Sequence, residues 1–203
     1  MVDTRGELEK RGSMLVGKIF SPLPLHPNHW TILSFLVAVL AFIFLIQKEM
    51  LLGLIFFALA SFIDVIDGAV ARFTGRATQL GAFLDGIADR IVEFLILLAI
   101  LSYSLPKFIL PSSIWIFSIL FFGTCMTSFV RAYAHHRGLV NEENVGKITG
   151  FLDRFKRLVL LIAVVALLYL KMDLYATYLL ALIAVLAVIT VIQRVWMAVE
   201  LGK

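Results

Sequence analysis

Six runs of mostly apolar residues, each close to the roughly 20 residues a helix needs to cross a bilayer, constrain this chain more than any other feature. They extend from about Asn28 to Ile46, Met50 to Arg72, Gly81 to Tyr103, Ser112 to His135, Phe151 to Leu170 and Leu174 to Met197. Polar or proline-bearing turns separate them: Gln47-Lys48-Glu49, the Phe73 to Leu80 loop with Gly75 and Arg76, a turn bracketed by Pro106 and Pro111, the long His136 to Gly150 segment, and Lys171-Met172-Asp173. With 61% hydrophobic residues and a mean hydropathy of +0.98, the chain falls in the membrane class and outside the soluble one. The expected fold is therefore all-α, a polytopic membrane protein of six transmembrane helices in a single domain over residues 1–203.

Ahead of the first run, residues 1–27 read as an interfacial helix and linker. Leu8, Met14, Leu15, Ile19 and Phe20 recur at loosely helical spacing, while Arg5, Lys10, Arg11 and Lys18 are available to lipid phosphates. A disordered lead-in is the alternative reading. The prolines of Pro22 to Pro27 then break the helix, and Asn28 stands where it can cap the first span. Met1 to Glu9 is too polar for a cleavable signal peptide.

The basic residues orient the chain. Of the eighteen Lys and Arg, all but Lys48, Lys107 and Lys171 fall on the side that holds both termini, the Phe73 to Leu80 loop and the His136 to Gly150 loop. By the positive-inside rule that side is cytoplasmic, which predicts a multi-pass protein of the cell membrane with both termini inside. The same rule accounts for the net charge of +4, so the charge is no argument for nucleic acid. The single cysteine, Cys125, excludes an intrachain disulfide and reads as a small buried hydrophobe.

Against this apolar background, Asp64, Asp67, Asp85 and Asp89 stand out. A carboxylate at the centre of a membrane helix costs about 2.5 to 3.5 kcal/mol on insertion scales, so four of them need a specific compensation. Asp64 and Asp67 are spaced i,i+3 and Asp85 and Asp89 i,i+4, so each pair lines one helix face. The short loop between the two helices makes them antiparallel neighbours. Four facing carboxylates suit one hard divalent cation, or two about 3.5 to 4 Å apart. Gly68 and Gly81 permit close approach of a ligand or a second helix, and Arg72 supplies a planar fork for a phosphate. Two other readings are a buried charge network with Arg72, Arg76 and Arg90, and an ion or proton pathway of a transporter. The first is a costly way to pack helices; the second predicts acids spread through the membrane depth, whereas these cluster near one face.

The pattern D-x-x-D-G-x-x-A-R, eight residues, G-x-x-x-D-x-x-x-D resembles the signature of the CDP-alcohol phosphotransferases, integral membrane enzymes of phospholipid head-group synthesis. Asp64, Asp67, Gly68, Ala71, Arg72, Gly81, Asp85 and Asp89 fill all its positions. Pro27-Asn28-His29-Trp30-Thr31 is similar to the P-N-x-x-T that opens span one in this family. The resemblance implies transfer of the phosphoryl-alcohol group of a CDP-activated lipid to the hydroxyl of a second alcohol, with release of CMP. It implies that Asp64, Asp67 and Asp85 ligate Mg²⁺ or Mn²⁺, two ions in all. Asp89 would complete the second metal site and act as the base, or serve only as a ligand. Gly68, Ala71, Arg72, Gly81, Asn28 and Thr31 would bind the CDP-alcohol, and the enzyme would be a homodimer among membrane lipids.

The acceptor is written less openly. Arg131 near the end of span four, and Arg154 and Arg157 on one face at the start of span five, lie at the membrane level of the aspartates, with Lys147 in the loop between. They suit an acceptor that already bears a phosphate; juxtamembrane positive-inside charge is the alternative, most of all for Lys147 and Lys156. These stretches resemble the S-Y-x-R-A-R and E-R-x-x-R-L segments of the inositol-phosphate-using branch, which includes phosphatidyl- and archaetidylinositol-phosphate synthases. Here Tyr133 replaces the second Arg, His135-His136 follows, and Asp153 stands for Glu. A phosphorylated polyol, inositol phosphate, is thus the expected acceptor, with glycerol 3-phosphate as its competitor. His135 and His136 point about 100° apart on a helix and make a poor chelate. Glu93, one turn beyond Asp89, would orient a metal-bound water or pair with Arg90 or Arg131.

Overall fold

The computed structural model describes the backbone of residues 4–22 and 27–203 and the side chains of residues 12–22 and 28–203. The lipid contacts expected of the Arg5, Leu8, Lys10 and Arg11 side chains, and the middle of the helix break expected over Ser21 to Pro27, lie outside the described residues. Among those described, regular structure is helical apart from one isolated bridge between Phe108 and Leu110. The helices are α1 Thr4–Phe20, α2 Pro27–Ile46, α3 Met50–Thr74, α4 Gln79–Leu101, α5 Ser112–His136, α6 Glu142–Val145, α7 Arg154–Tyr169 and α8 Asp173–Leu201.

Four of them, α2, α3, α5 and α8, are long and apolar enough to cross a membrane. Two of the six expected spans do not meet that measure, for different reasons. α4 has the length, but Asp85, Asp89, Arg90 and Glu93 interrupt its apolar run. α7 has 16 residues, about 24 Å at 1.5 Å per residue, which is shorter than a hydrocarbon core of about 30 Å.

Local chemistry sets the helix ends near the site. Gly75 takes a left-handed φ of 64° and its N–H closes on the Ala71 carbonyl, ending α3 in a conformation that a side chain would oppose. Three residues later Thr78 opens α4: its Oγ1 accepts the Gly81 N–H at 3.0 Å, an N-cap bond. Asp153 opens α7 in the same way, accepting the Lys156 N–H at 2.9 Å. The aspartate that stands for glutamate in the segment resembling the inositol-phosphate branch thus serves as a helix cap here. Within α5, residues Ile119–Met126 form a π-helix, which the apolar periodicity did not foretell. Cys125 lies in it and is exposed, contrary to its expected burial, because in a membrane helix the outward face is as apolar as the core.

The chain divides into two compact units, Met1–Val92 and Glu93–Lys203. The first is built on the α2–α3 hairpin, with Ala38, Ala41, Leu45, Phe57, Ala60 and Ile66 buried in its core, and α1 laid along α3. Phe20 at the end of α1 meets Trp30 of α2 edge-on at 5.9 Å and Phe62 of α3 at 6.3 Å. The second packs the last part of α4 with α5, α7 and α8. Its core includes Ile96, Ile119, Leu161, Val165, Leu180 and Ala184.

Candidate metal and nucleotide site

Helical spacing carries Asp64 and Asp67 to one face of α3, and the cap at Thr78 starts α4 so that Asp85 arrives opposite them. One carboxylate oxygen from each of Asp64, Asp67 and Asp85 lies within 4.8 Å of the others. Asp67 is the most buried of the three, 6% exposed. Three converging oxygen donors are what a hard cation selects, and three like charges this close inside an apolar unit are stable together only with positive charge between them or protons on them. The residues therefore fit a divalent ion. Asp89, one turn beyond Asp85, does not belong to this trio: it is buried, and its Oδ2 lies 3.5 Å from Arg90 Nη1, which also donates to the Gly86 carbonyl at 2.8 Å.

The sequence did not reveal how the trio is held. Thr31 on α2 donates its hydroxyl to Asp67 Oδ2 at 2.6 Å, orienting that carboxylate from outside the cluster. A threonine 36 positions away carries no sequence signal for such a bond. Beside the trio opens a cavity of about 170 Å³ lined by Asn28, Thr31, Asp67, Gly68, Ala71, Arg72, Gly81 and Asp85 among others. Every residue expected to contact the CDP-alcohol therefore borders one space.

The two signature glycines give room to side chains of the protein. A Cβ on Gly81 would stand 3.1 Å from Asn28 Oδ1 and 3.0 Å from Thr78 Oγ1. One on Gly68 would stand 3.2 Å from Arg72 Nη1. The guanidinium thus folds back across the bare backbone of its own helix. Its Nε and Nη2 donate to Ser13 Oγ of α1 at 3.1 and 2.9 Å.

The basic residues expected to hold the acceptor fall in the second unit, each with its own setting. Arg131 Nη2 donates to the Ile148 carbonyl at 2.7 Å. Arg157 is 4% exposed and grips Glu93, itself 1% exposed, with both Nε and Nη2. That pairing replaces the partners expected for Glu93: Arg90 turns back to the Gly86 carbonyl of its own helix, and Arg131 is engaged at the Ile148 carbonyl. Arg154 is half-buried at the first position of α7, and exposed Lys147 donates to Asn144 Oδ1 at 2.7 Å.

Arg194 on α8 went unnoticed in the sequence, where it resembles ordinary end-of-span charge. It is buried and donates to the Thr127 carbonyl at 2.6 Å. The segment from Ile148 to Leu152 is pinned beside it: Phe151 N–H donates to Gln193 Oε1 at 2.8 Å and Leu152 N–H to Thr190 Oγ1 at 3.0 Å.

Residues 24–196 match the CDP-alcohol phosphatidyltransferase family. The archaetidylinositol phosphate synthase of Pyrococcus horikoshii is 41% identical over 86 residues, 42% of this chain and 45% of that one, so the match spans less than half of that relative. The archaetidylinositol phosphate synthase of Aeropyrum pernix is 32% identical over 163 residues, 80% of this chain and 78% of that one. Among solved structures, the phosphatidylinositol phosphate synthase of Mycobacterium tuberculosis with CDP-DAG bound is similar at a TM-score of 0.72 and 24% identity, covering 93% of this chain and 94% of that one. The same protein in complex with manganese and citrate gives 0.69 at 22% identity, covering 92% and 88%. At those identities the likeness is one of fold.

Proposed function

The chain belongs to the CDP-alcohol phosphatidyltransferase family, and from that premise we propose that it transfers the phosphoryl-lipid group of a CDP-activated lipid to the hydroxyl of an inositol phosphate, releasing CMP. The observation that carries this reading is the convergence of Asp64, Asp67 and Asp85 beside a cavity bordered by Arg72, Asn28 and the two signature glycines. Residues that hold a cation stand next to residues that hold a diphosphate.

In this reading Asp64, Asp67 and Asp85 hold Mg²⁺ or Mn²⁺, and Asp89 completes a second metal position. Bound there, the ions neutralise the diphosphate and make the attacked phosphorus more electrophilic. Arg72 binds and orients the diphosphate, while Ala71, Gly68 and Gly81 leave the nucleotide room along the helices. The acceptor oxygen forms a bond to the phosphorus of the lipid phosphate, the bond from that phosphorus to CMP breaks, and Asp89 takes the acceptor's proton. Arg131, Arg154 and Lys147 supply the positive charge for the acceptor's phosphate. Arg157 contributes through its grip on Glu93.

The acceptor assignment is supported by the names of the relatives, all three described above being inositol-phosphate-type synthases. In the membrane, α4 and α7 complete six spans within one catalytic domain. α1 lies at the cytoplasmic interface with Met14, Leu15 and Ile19 toward lipid, both termini are cytoplasmic, and the enzyme works as a homodimer. α4 tolerates its acids because they serve the site.

The deciding experiment supplies purified protein with a CDP-lipid, Mg²⁺ or Mn²⁺, and one of inositol 1-phosphate, glycerol 3-phosphate, serine or free inositol. CMP should form with inositol 1-phosphate. Arg131→Ala should raise KM for that acceptor by about tenfold, the worth of one charge-assisted hydrogen bond. CMP formation with glycerol 3-phosphate alone would reassign the acceptor, and none with any pair would end the proposal.

A further inference from the structure

The signature arginine is held from outside the signature. Three residues of α1, Ser13, Gly17 and Phe20, recur at i, i+4 and i+7 and therefore share one face, which is the face applied to α3. Gly17 is buried against it: a Cβ there would meet Phe73 Cβ at 2.6 Å and the Ala69 carbonyl at 2.7 Å. Ala69, Arg72 and Phe73 are in turn spaced i, i+3 and i+4 on α3, so the two stripes match. Met14, Leu15, Lys18 and Ile19 are exposed on the other side of α1. The small residue at 17 draws the helices together, and Ser13 consequently reaches the Arg72 guanidinium with two hydrogen bonds, 3.1 Å from Nε and 2.9 Å from Nη2. The contact that results is specific. Arg72 is otherwise exposed, and a free arginine carries many rotamers that must be frozen when an anion binds. Gly68 beneath Nη1 and Ser13 against Nε and Nη2 hold it in one of them.

We infer that Ser13 is a positioning residue of the nucleotide site, acting through Arg72: it holds the guanidinium over the cavity so that a nucleoside diphosphate meets a preset fork. The amino-terminal helix is then part of the diphosphate-binding machinery as well as a surface anchor. This rests on the reading of the cavity as a CDP-alcohol site and adds a residue of α1 to it.

The test uses the full chain in detergent with CDP as ligand, titrated calorimetrically at a fixed Mn²⁺ concentration. Ser13→Ala should weaken CDP binding by about tenfold, the scale expected when a preorganised charged contact is lost. It should also raise KM for the CDP-lipid with kcat within about twofold, since no group at the reacting atoms changes. Ser13→Thr, which keeps the hydroxyl, should bind as the parent does. In an Arg72→Ala background, Ser13→Ala should add nothing, a non-additivity that a general loosening of the fold would not produce. Mn²⁺ affinity without nucleotide should be the same in all these chains, which also certifies that they are folded. Equal CDP affinity for Ser13→Ala and the parent, or a full additional loss on top of Arg72→Ala, would overturn the inference while leaving the site's assignment intact. A parent chain that binds Mn²⁺ and no CDP would remove the nucleotide reading itself, and this inference with it.

Discussion

Breaking the Glu93–Arg157 pair separates a structural role for Arg157 from a direct acceptor contact. Both side chains are almost wholly buried, at 1% and 4% exposure, and the guanidinium meets the carboxylate through two nitrogens. The arginine stem also lies against Gly123 in the π-helix, where a Cβ would be 3.1 Å from Arg157 Cδ. Arg157→Ala would leave the buried Glu93 carboxyl without this partner in an apolar unit, a loss of about 3 to 5 kcal/mol for a broken buried pair. For a chain of this length each kcal/mol moves Tm by about 2 to 4 °C, so a fall of about 10 °C is expected. Glu93→Ala should cost as much. The double replacement Glu93→Leu with Arg157→Met should recover most of the loss, because a buried pair can be exchanged for apolar side chains of similar volume at little net cost. Differential scanning calorimetry in detergent, with and without inositol 1-phosphate, reads the three chains side by side. If Arg157→Ala melted within about 2 °C of the parent and the double replacement gave no recovery, the pair would not be holding the unit together. A stable Arg157→Ala chain with a raised acceptor KM would instead make Arg157 a direct phosphate contact.

Other consequences are simpler to read. Asp85→Asn removes one of three converging donors; calorimetry should show weaker Mn²⁺ binding by at least tenfold, and CMP release should fall below detection, as it should when EDTA strips the parent enzyme. Thr31→Val deletes the hydroxyl that orients Asp67 and should weaken Mn²⁺ binding by about 10- to 100-fold, the range for lost supporting hydrogen bonds, with Thr31→Ser restoring it. Gly17→Val forces α1 off α3, and limited proteolysis should cut between α1 and α2 several times faster than in the parent; an unchanged rate would mean that α1 does not depend on that close approach.

The aspartates were legible because their position is expensive: carboxylates in an apolar run demand a partner whatever the fold, and helical periods of three and four residues put them on facing sides. The boundaries of α2, α3, α5 and α8 were legible for a related reason, since a bilayer sets the length of an apolar run. The acceptor residues were legible only as positive charge. Whether an arginine serves a ligand, a carbonyl or a buried glutamate depends on what the chain brings against it: Arg131 donates to the Ile148 carbonyl, whereas Arg157 grips Glu93.

By itself, then, the sequence determined the membrane class, the placing of one aspartate pair on each of α3 and α4, and the family, because hydropathy and short-range helical spacing are local properties. Only the tertiary structure decided that Asp64, Asp67 and Asp85 converge, with Asp89 outside the trio. It also decided that Thr31 braces Asp67, that Glu93 takes Arg157, and that Ser13 reaches Arg72 from 59 residues away. These are contacts between elements, set by how the helices pack, and no spacing along the chain encodes them.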